Sequence, residues 1–300
     1  MAVRIGTAPV SWGVMEVATT WERAQTFASV LDEMVSAGYA GTELGPWDFL
    51  PTDPRQLTFE LSRRNLSLIG AFVPIALAEP ERHNEGIESA RATARLLASC
   101  GAPVLVLADA MYERRMAIAG SVVAERDGLS DRNWDAAARL LERVAREARD
   151  VGLRTVFHHH TGTYVETPAE VRRLLASTDP SLLGLCLDTG HYTYGGGDPA
   201  ELARTHAARI WHLHLKDVCG NVLDQVRRDG IGFLDAVSKG VFCELGAGSV
   251  DLRGVIRALL AGGYDGWAVF EQDVDPTRPG VDPLKSAARS RQYIRDAVGL

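Results

Sequence analysis

The amino-acid sequence predicts an α/β fold, a single (β/α)8 barrel of the TIM type spanning residues 1–300. Short runs rich in Val, Ile and Leu alternate with stretches of helical period, and eight such alternations can be counted. A doubly wound sheet is the structural runner-up, but neither GxGxxG nor GxxxxGK[ST] follows the first run.

In chain order, strands are expected at 3–8, 41–44, 67–73, 103–107, 154–158, 182–187, 209–215 and 266–271. Helices are expected at about 22–37, 54–65, 84–100, 133–151, 167–176, 199–207, 251–262 and 283–297. Gly38, Gly101 and Gly152 close the first, third and fourth helices as left-handed caps. Thr167-Pro168 and Asp198-Pro199 open the fifth and sixth, with a capping side chain before a proline suited to the first turn. Gly263 closes the seventh, and Asp282-Pro283 opens the eighth. The αβ turns are therefore short, whereas long irregular segments follow strand four (108–132) and strand seven (217–248). Loops of that size in a compact domain usually carry function.

Composition narrows the function classes. The chain is 46% hydrophobic and 24% charged, with 32 basic and 39 acidic residues and a net charge of −7. The basic residues form no block, so nucleic acid is not an expected partner. Cys100, Cys186, Cys219 and Cys243 lie far apart without a CxxC pair and read as buried thiols of a reducing compartment. The opening MAVRIGTAPV lacks the layout of a signal peptide, and no apolar run is long enough to span a bilayer. A cytoplasmic protein acting on a small molecule, with homo-oligomerisation open, is expected.

The chemistry is marked by histidines. Six of the eight fall at three strand ends: in Phe157-His158-His159-His160, in Asp188-Thr189-Gly190-His191, and in His212-Leu213-His214-Leu215-Lys216-Asp217. Strand eight ends in Phe270-Glu271-Gln272-Asp273. Strand ends of a parallel barrel share one mouth, where this fold builds active sites. Imidazoles and carboxylates together suit one divalent ion such as Mn, Co, Zn or Fe and do not suit Ca. The expected ligands are His158, Asp188, His214 and Glu271, with His160 the alternative on strand five because it shares a face with His158. His159 and His212 are expected behind them. Glu43 is read as a substrate-binding carboxylate or as the partner of a nearby Arg. Trp12, Trp47 and Tyr192 are read as walls of a sugar-sized pocket or as core, and His160 as a substrate contact.

These motifs, together with Gly6-Thr7-Ala8-Pro9-Val10-Ser11-Trp12, Gly41-Thr42-Glu43-Leu44-Gly45 and Gly246-Ala247-Gly248-Ser249-Val250-Asp251-Leu252, resemble the xylose-isomerase-like superfamily of sugar isomerases and epimerases over most of the chain. Within it the triple-His run is most similar to the branch that dehydrates cyclic keto-polyols of the 2-keto-myo-inositol type. The resemblance implies a cytoplasmic metal-dependent hydro-lyase of inositol catabolism, with Mn or Co as the favoured ion and Zn, Mg or Fe behind. Glu271, His191 and Lys216 are the candidates for base and acid, with Lys216 also suited to steadying an enolate or to pairing with Asp217. In related ketose epimerases strand five offers a second Glu, and here His158 stands in its place. A sugar or keto-acid isomerase or epimerase on the same site is the alternative. A phosphodiester hydrolase and a non-catalytic sugar-binding barrel are the more distant readings.

Overall fold

The computed structural model describes residues 3–15 and 25–300. Its elements run β1 (Arg4–Thr7), α1 (Phe27–Ser36), β2 (Gly41–Thr42), α2 (Pro54–Ser62), β3 (Ser67–Leu68), β4 (Gly70–Ile75), α3 (His83–Ser99), β5 (Val104–Asp109), α4 (Glu113–Ala117), α5 (Ala124–Asp127) and α6 (Asp131–Asp150). They continue with β6 (Arg154–His158), α7 (Pro168–Ser177), β7 (Leu183–Asp188), α8 (Thr189–Tyr194), α9 (Pro199–His206), β8 (Ile210–Leu215), β9 (Asp217–Val218), α10 (Gly220–Asp229), α11 (Phe233–Ser238), β10 (Phe242–Cys243), α12 (Leu252–Ala261), β11 (Trp267–Phe270) and α13 (Pro283–Tyr293).

Nine strand segments pair in parallel in the order β3-β2-β1-β11-β8-β7-β6-β5-β4. Because β3 and β4 are one run interrupted only at Ile69, the order closes on itself as an eight-position barrel. The expected third strand therefore pairs β2 through its first residues and β5 through the rest.

All eight expected strands and all eight expected helices form, and Gly38, Gly101, Gly152 and Gly263 take the left-handed backbone of a cap. Residues 22–24 of the first expected helix lie outside the described residues. The sequence reading missed α4, α5, α8, α10 and α11, which have four to ten residues and sit in the long mouth loops or directly after β7. Elements that short, inside polar segments, give little periodicity to read.

Strand alternation divides the interior. Leu105, Leu107, Phe157, Leu185, Leu187, Leu213 and Leu215 pack outward in the large core beneath the helices. Val104, Val106, Val156 and Cys186 form a separate buried layer together with Phe72 and Trp211. The residues that continue this second parity toward the strand ends are His158, Asp188, His214 and, directly after β11, Glu271. Two-sided burial explains why β5 and β7 read as continuous apolar runs. No described helix is long and apolar enough to cross a membrane. The four cysteines are free, with Cys186 buried and the others partly so.

Candidate metal and active site

The barrel register brings His158, Asp188, His214 and Glu271 together. Cys186 pairs with His158 across β6 and β7, and Asp188 with His214 across β7 and β8. One ligand-capable atom from each of the four lies within 4.8 Å of all the others. His158 Nε2 is 3.4 Å from Asp188 Oδ2, and His214 Nδ1 is 3.2 Å from Glu271 Oε2 and 3.9 Å from Asp188 Oδ2.

The local fold explains why these atoms are free. Asp188 caps α8 with one oxygen, Oδ1, which accepts the N–H groups of Gly190 and His191 at 2.8 Å each. Its Oδ2 is left buried without a hydrogen bond, as are both ring nitrogens of His158 and Nδ1 of His214. Buried polar atoms normally find partners. Orphaned atoms of three residues, His158, Asp188 and His214, meeting beside the Glu271 carboxylate fit a divalent ion with N and O ligands.

Lys216 stands beside this point. Its ammonium donates to Asp273 Oδ1 at 2.7 Å and lies 3.3 Å from Asp188 Oδ2 and 3.2 Å from Glu271 Oε2. Burial works against the charge of Lys216, and the carboxylates of Asp188, Asp273 and Glu271 outweigh it and raise its pKa. A side chain at position 190 would meet Lys216 Cβ at 2.8 Å, so the glycine of Asp188-Thr189-Gly190-His191 is what lets the lysine pass. Burial likewise opposes ionisation of Glu271, and His214 and Lys216 outweigh it and keep its carboxyl below the ordinary value.

The neighbouring histidines are neutral. Burial first, and then His158, pushes His159 and His160 down to about 3. Burial, His160 and Lys216 push His191 far below its usual range. His160 Nδ1 donates to the Thr161 carbonyl at 2.7 Å. His191 Nδ1 donates to Thr161 Oγ1 at 2.9 Å, which leaves Nε2 to accept from Lys216 at 2.8 Å. His160, His191 and Asp273 form a second close group, but the Lys216 ammonium already occupies its centre of negative charge.

A pocket opens at the barrel mouth over His158 and Glu271. Its polar side is Glu43, His158, His160, Lys216, Glu271 and Asp273, and its apolar side is Ala8, Val10, Met15, Phe72 and Met111. Phe233 and Phe242, from the segment after β8, back His160 and His191 with ring centroids 5.6 and 5.1 Å away.

Several of the candidate residues lie off the pocket, Trp12 and Tyr192 taking the core alternative. Trp12 is fully buried and donates its indole N–H to Glu33 Oε2 at 2.7 Å, turned away from the pocket toward α1. Tyr192 is 4% exposed and packs edge-on against His159 at 5.3 Å, outside the lining. His191 is completely buried, behind the pocket residues Lys216 and His160. Trp47 is 48% exposed and does not line the pocket. The partners of Glu43 are His212 and His214, not an arginine. Asp217 does not pair with Lys216. Its two oxygens accept the N–H groups of Val218, Gly246, Gly248 and Val250 and staple the long loop to the barrel rim.

Asp273 and Met111 were missed, whereas Phe72 lies in the third-strand run read as substrate wall. Asp273 was legible, since it lies two residues beyond Glu271 and thus on the same side of the chain. Met111 carried no signal beyond ordinary apolar character.

The xylose isomerase-like TIM-barrel family matches residues 31–297. The chain is 34% identical to inosose dehydratase of Lacticaseibacillus casei over 295 residues, covering 98% of this chain and 97% of that one. It is also 34% identical to inosose dehydratase of Geobacillus thermodenitrificans over 298 residues, covering 99% and 98%. Solved structures of similar fold include an L-ribulose 3-epimerase, with a TM-score of 0.73 and 18% identity over 100% of this chain and 95% of that one. Another is the IOLI protein with a bound zinc atom, with a TM-score of 0.71 and 15% identity over 99% and 98%.

Proposed function

The chain belongs to the xylose isomerase-like TIM-barrel family and, within it, to the inosose dehydratases, and we propose that it is a metal-dependent hydro-lyase removing water from 2-keto-myo-inositol to leave a trihydroxycyclohexane dione. The observation that carries this reading is the convergence of His158, Asp188, His214 and Glu271, three of them with orphaned buried atoms, beside a buried lysine at the pocket in the barrel mouth.

His158, Asp188, His214 and Glu271 would hold the ion, and this mixed set favours Mn or Co, with Zn, Fe or Mg behind. Bound there, a divalent ion supplies Lewis acidity toward a ketone oxygen and an adjacent hydroxyl. Glu271 borders the pocket as an ionised carboxylate and takes the proton next to the carbonyl. Lys216, held by Asp273, turns its ammonium toward the oxygen that gains negative charge and supplies the proton with which the β-hydroxide departs as water. His160 is neutral, its Nδ1–H is spent on Thr161, and its Nε2 accepts from a substrate hydroxyl.

Of the carboxylates that line the pocket, Glu43 is bonded to His212 and His214 and Asp273 to Lys216, which leaves Glu271 as the base. Two-faced epimerisation requires a second, and its lack among the described lining residues supports elimination over the isomerase alternative. The unpaired thiols support a reducing, cytoplasmic setting, and we take residues 1–300 to act as one barrel domain.

The test is to strip the protein of metal, reload it separately with Mn, Co, Zn and Mg, supply 2-keto-myo-inositol and follow product by ultraviolet absorbance and mass spectrometry. Metal-dependent loss of one water is the expected result. An unchanged mass with a new stereoisomer would make the chain an epimerase or isomerase, and no turnover with any ion would remove the substrate assignment.

A further inference from the structure

Of the two imidazoles at the proposed metal centre, only His214 has a ring nitrogen already engaged. Its Nε2 lies 3.0 Å from Glu43 Oε1, and the same oxygen takes His212 Nε2 at 2.7 Å. Glu43 is 2% exposed and holds both rings through one carboxylate oxygen. A carboxylate oxygen accepts, so both imidazoles turn an N–H at Nε2 toward it.

The consequence falls on the other nitrogen. When Nε2 carries the proton of a neutral His214, the lone pair is on Nδ1, and Nδ1 is the orphaned atom facing Glu271 and Asp188. His158, by contrast, has no hydrogen bond on either nitrogen to choose its tautomer. The strand order makes the reach of Glu43 possible. Between β2 and β8 lie only β1 and β11, so Glu43, directly after β2, reaches across two strands to His212 and His214.

We propose that Glu43 is a positioning residue for the metal centre, fixing His214 as the Nε2–H tautomer and aiming an unprotonated Nδ1 at the ion. The inference rests on the metal-dependent reading above. A carboxylate behind a ligating imidazole sets ring orientation and raises ligand basicity, and removing such a partner weakens metal affinity by about 10- to 100-fold.

The test titrates Mn(II) alone into metal-stripped wild-type, Glu43→Ala and Glu43→Gln proteins by calorimetry, with circular dichroism as the check on folding. In the zinc-loaded proteins, nitrogen-15 NMR of the histidine rings reads which nitrogen of His214 bears hydrogen. Glu43→Ala is expected to lose about 10- to 100-fold in affinity, and Glu43→Gln to shift the same way by less because its amide oxygen still accepts. The wild type should show a slowly exchanging Nε2–H that the alanine variant loses. Folded variants that bind Mn(II) as tightly as wild type, or a wild-type His214 bound through Nε2, would overturn the inference. If the alanine variant does not fold, the glutamine variant decides by the same criterion. A wild type that binds neither Mn(II) nor zinc would overturn the metal reading beneath it, and the inference with it.

Discussion

At the scale of single residues, the site separates side chains that touch the pocket from side chains that hold those that do. Trp12 and Tyr192 belong to neither group, since one is bonded to Glu33 and the other packs on His159. Trp12→Phe and Tyr192→Phe are therefore expected to leave KM unchanged in steady-state assays, with a small loss of stability for the first. His160→Ala should raise KM, because His160 borders the pocket and offers an acceptor there. Glu271→Gln should cut kcat by about 10²- to 10⁴-fold, the usual contribution of a positioned acid or base. A KM that rises in Tyr192→Phe as it does in His160→Ala would mean the pocket has been drawn on the wrong wall.

At the scale of elements, the mouth loops are tied down by buried carboxylates. Asp109 accepts the N–H groups of Leu77 and Tyr164 and the hydroxyl of Tyr112, and Glu166 accepts those of Gly120 and Gly162. A capping box at the start of α7, with Thr167 and Glu170 bonded reciprocally, places Glu170 where Arg115 grips it with two nitrogens. Thr167→Ala should cost about 1 kcal/mol, read from urea unfolding. The segment α10 to β10 rests on a separate small core of Phe233, Phe242, Tyr194 and Val237. Its amides are expected to exchange with solvent faster than those of β5 to β8, because a smaller core opens at lower cost. Equal protection would mean that this segment is part of the barrel's cooperative unit.

At the scale of the whole molecule, the barrel was legible because strand parity and helix caps agree along the chain. Val104 to Asp109 and Leu183 to Asp188 are apolar runs ending in one acid, and Gly38, Gly101, Gly152 and Gly263 mark the turns beneath. The four proposed ligands were legible for the same reason, as inward residues at strand ends. What the sequence hid depends on reach. That Glu43 crosses two strands to His212 and His214, that Asp217 staples a loop, and that Trp12 turns outward are facts of rotamer and distance which spacing does not encode.

Burial of the rim carboxylates has a consequence for the folded state as a whole. It raises Asp109 and Glu166 to about 7, against about 4 in an unfolded chain. Between those values the native protein keeps protons that the unfolded chain releases. Stability from these groups is thus fully present below about pH 4 and is lost as pH rises through about 7. The Tm of wild type should therefore fall relative to that of Glu166→Gln between about pH 5 and pH 8 by calorimetry. A constant or widening advantage for wild type would show that Glu166 is ionised throughout.

The most direct measurement is an anomalous-scattering map from crystals of the Mn-loaded protein, collected at the metal edge. One peak is expected, about 2.0–2.3 Å from His158, Asp188, His214 and Glu271, with His214 approaching through Nδ1. A peak among His160, His191 and Asp273, or none in the barrel mouth, would contradict the metal centre on which the dehydration is built.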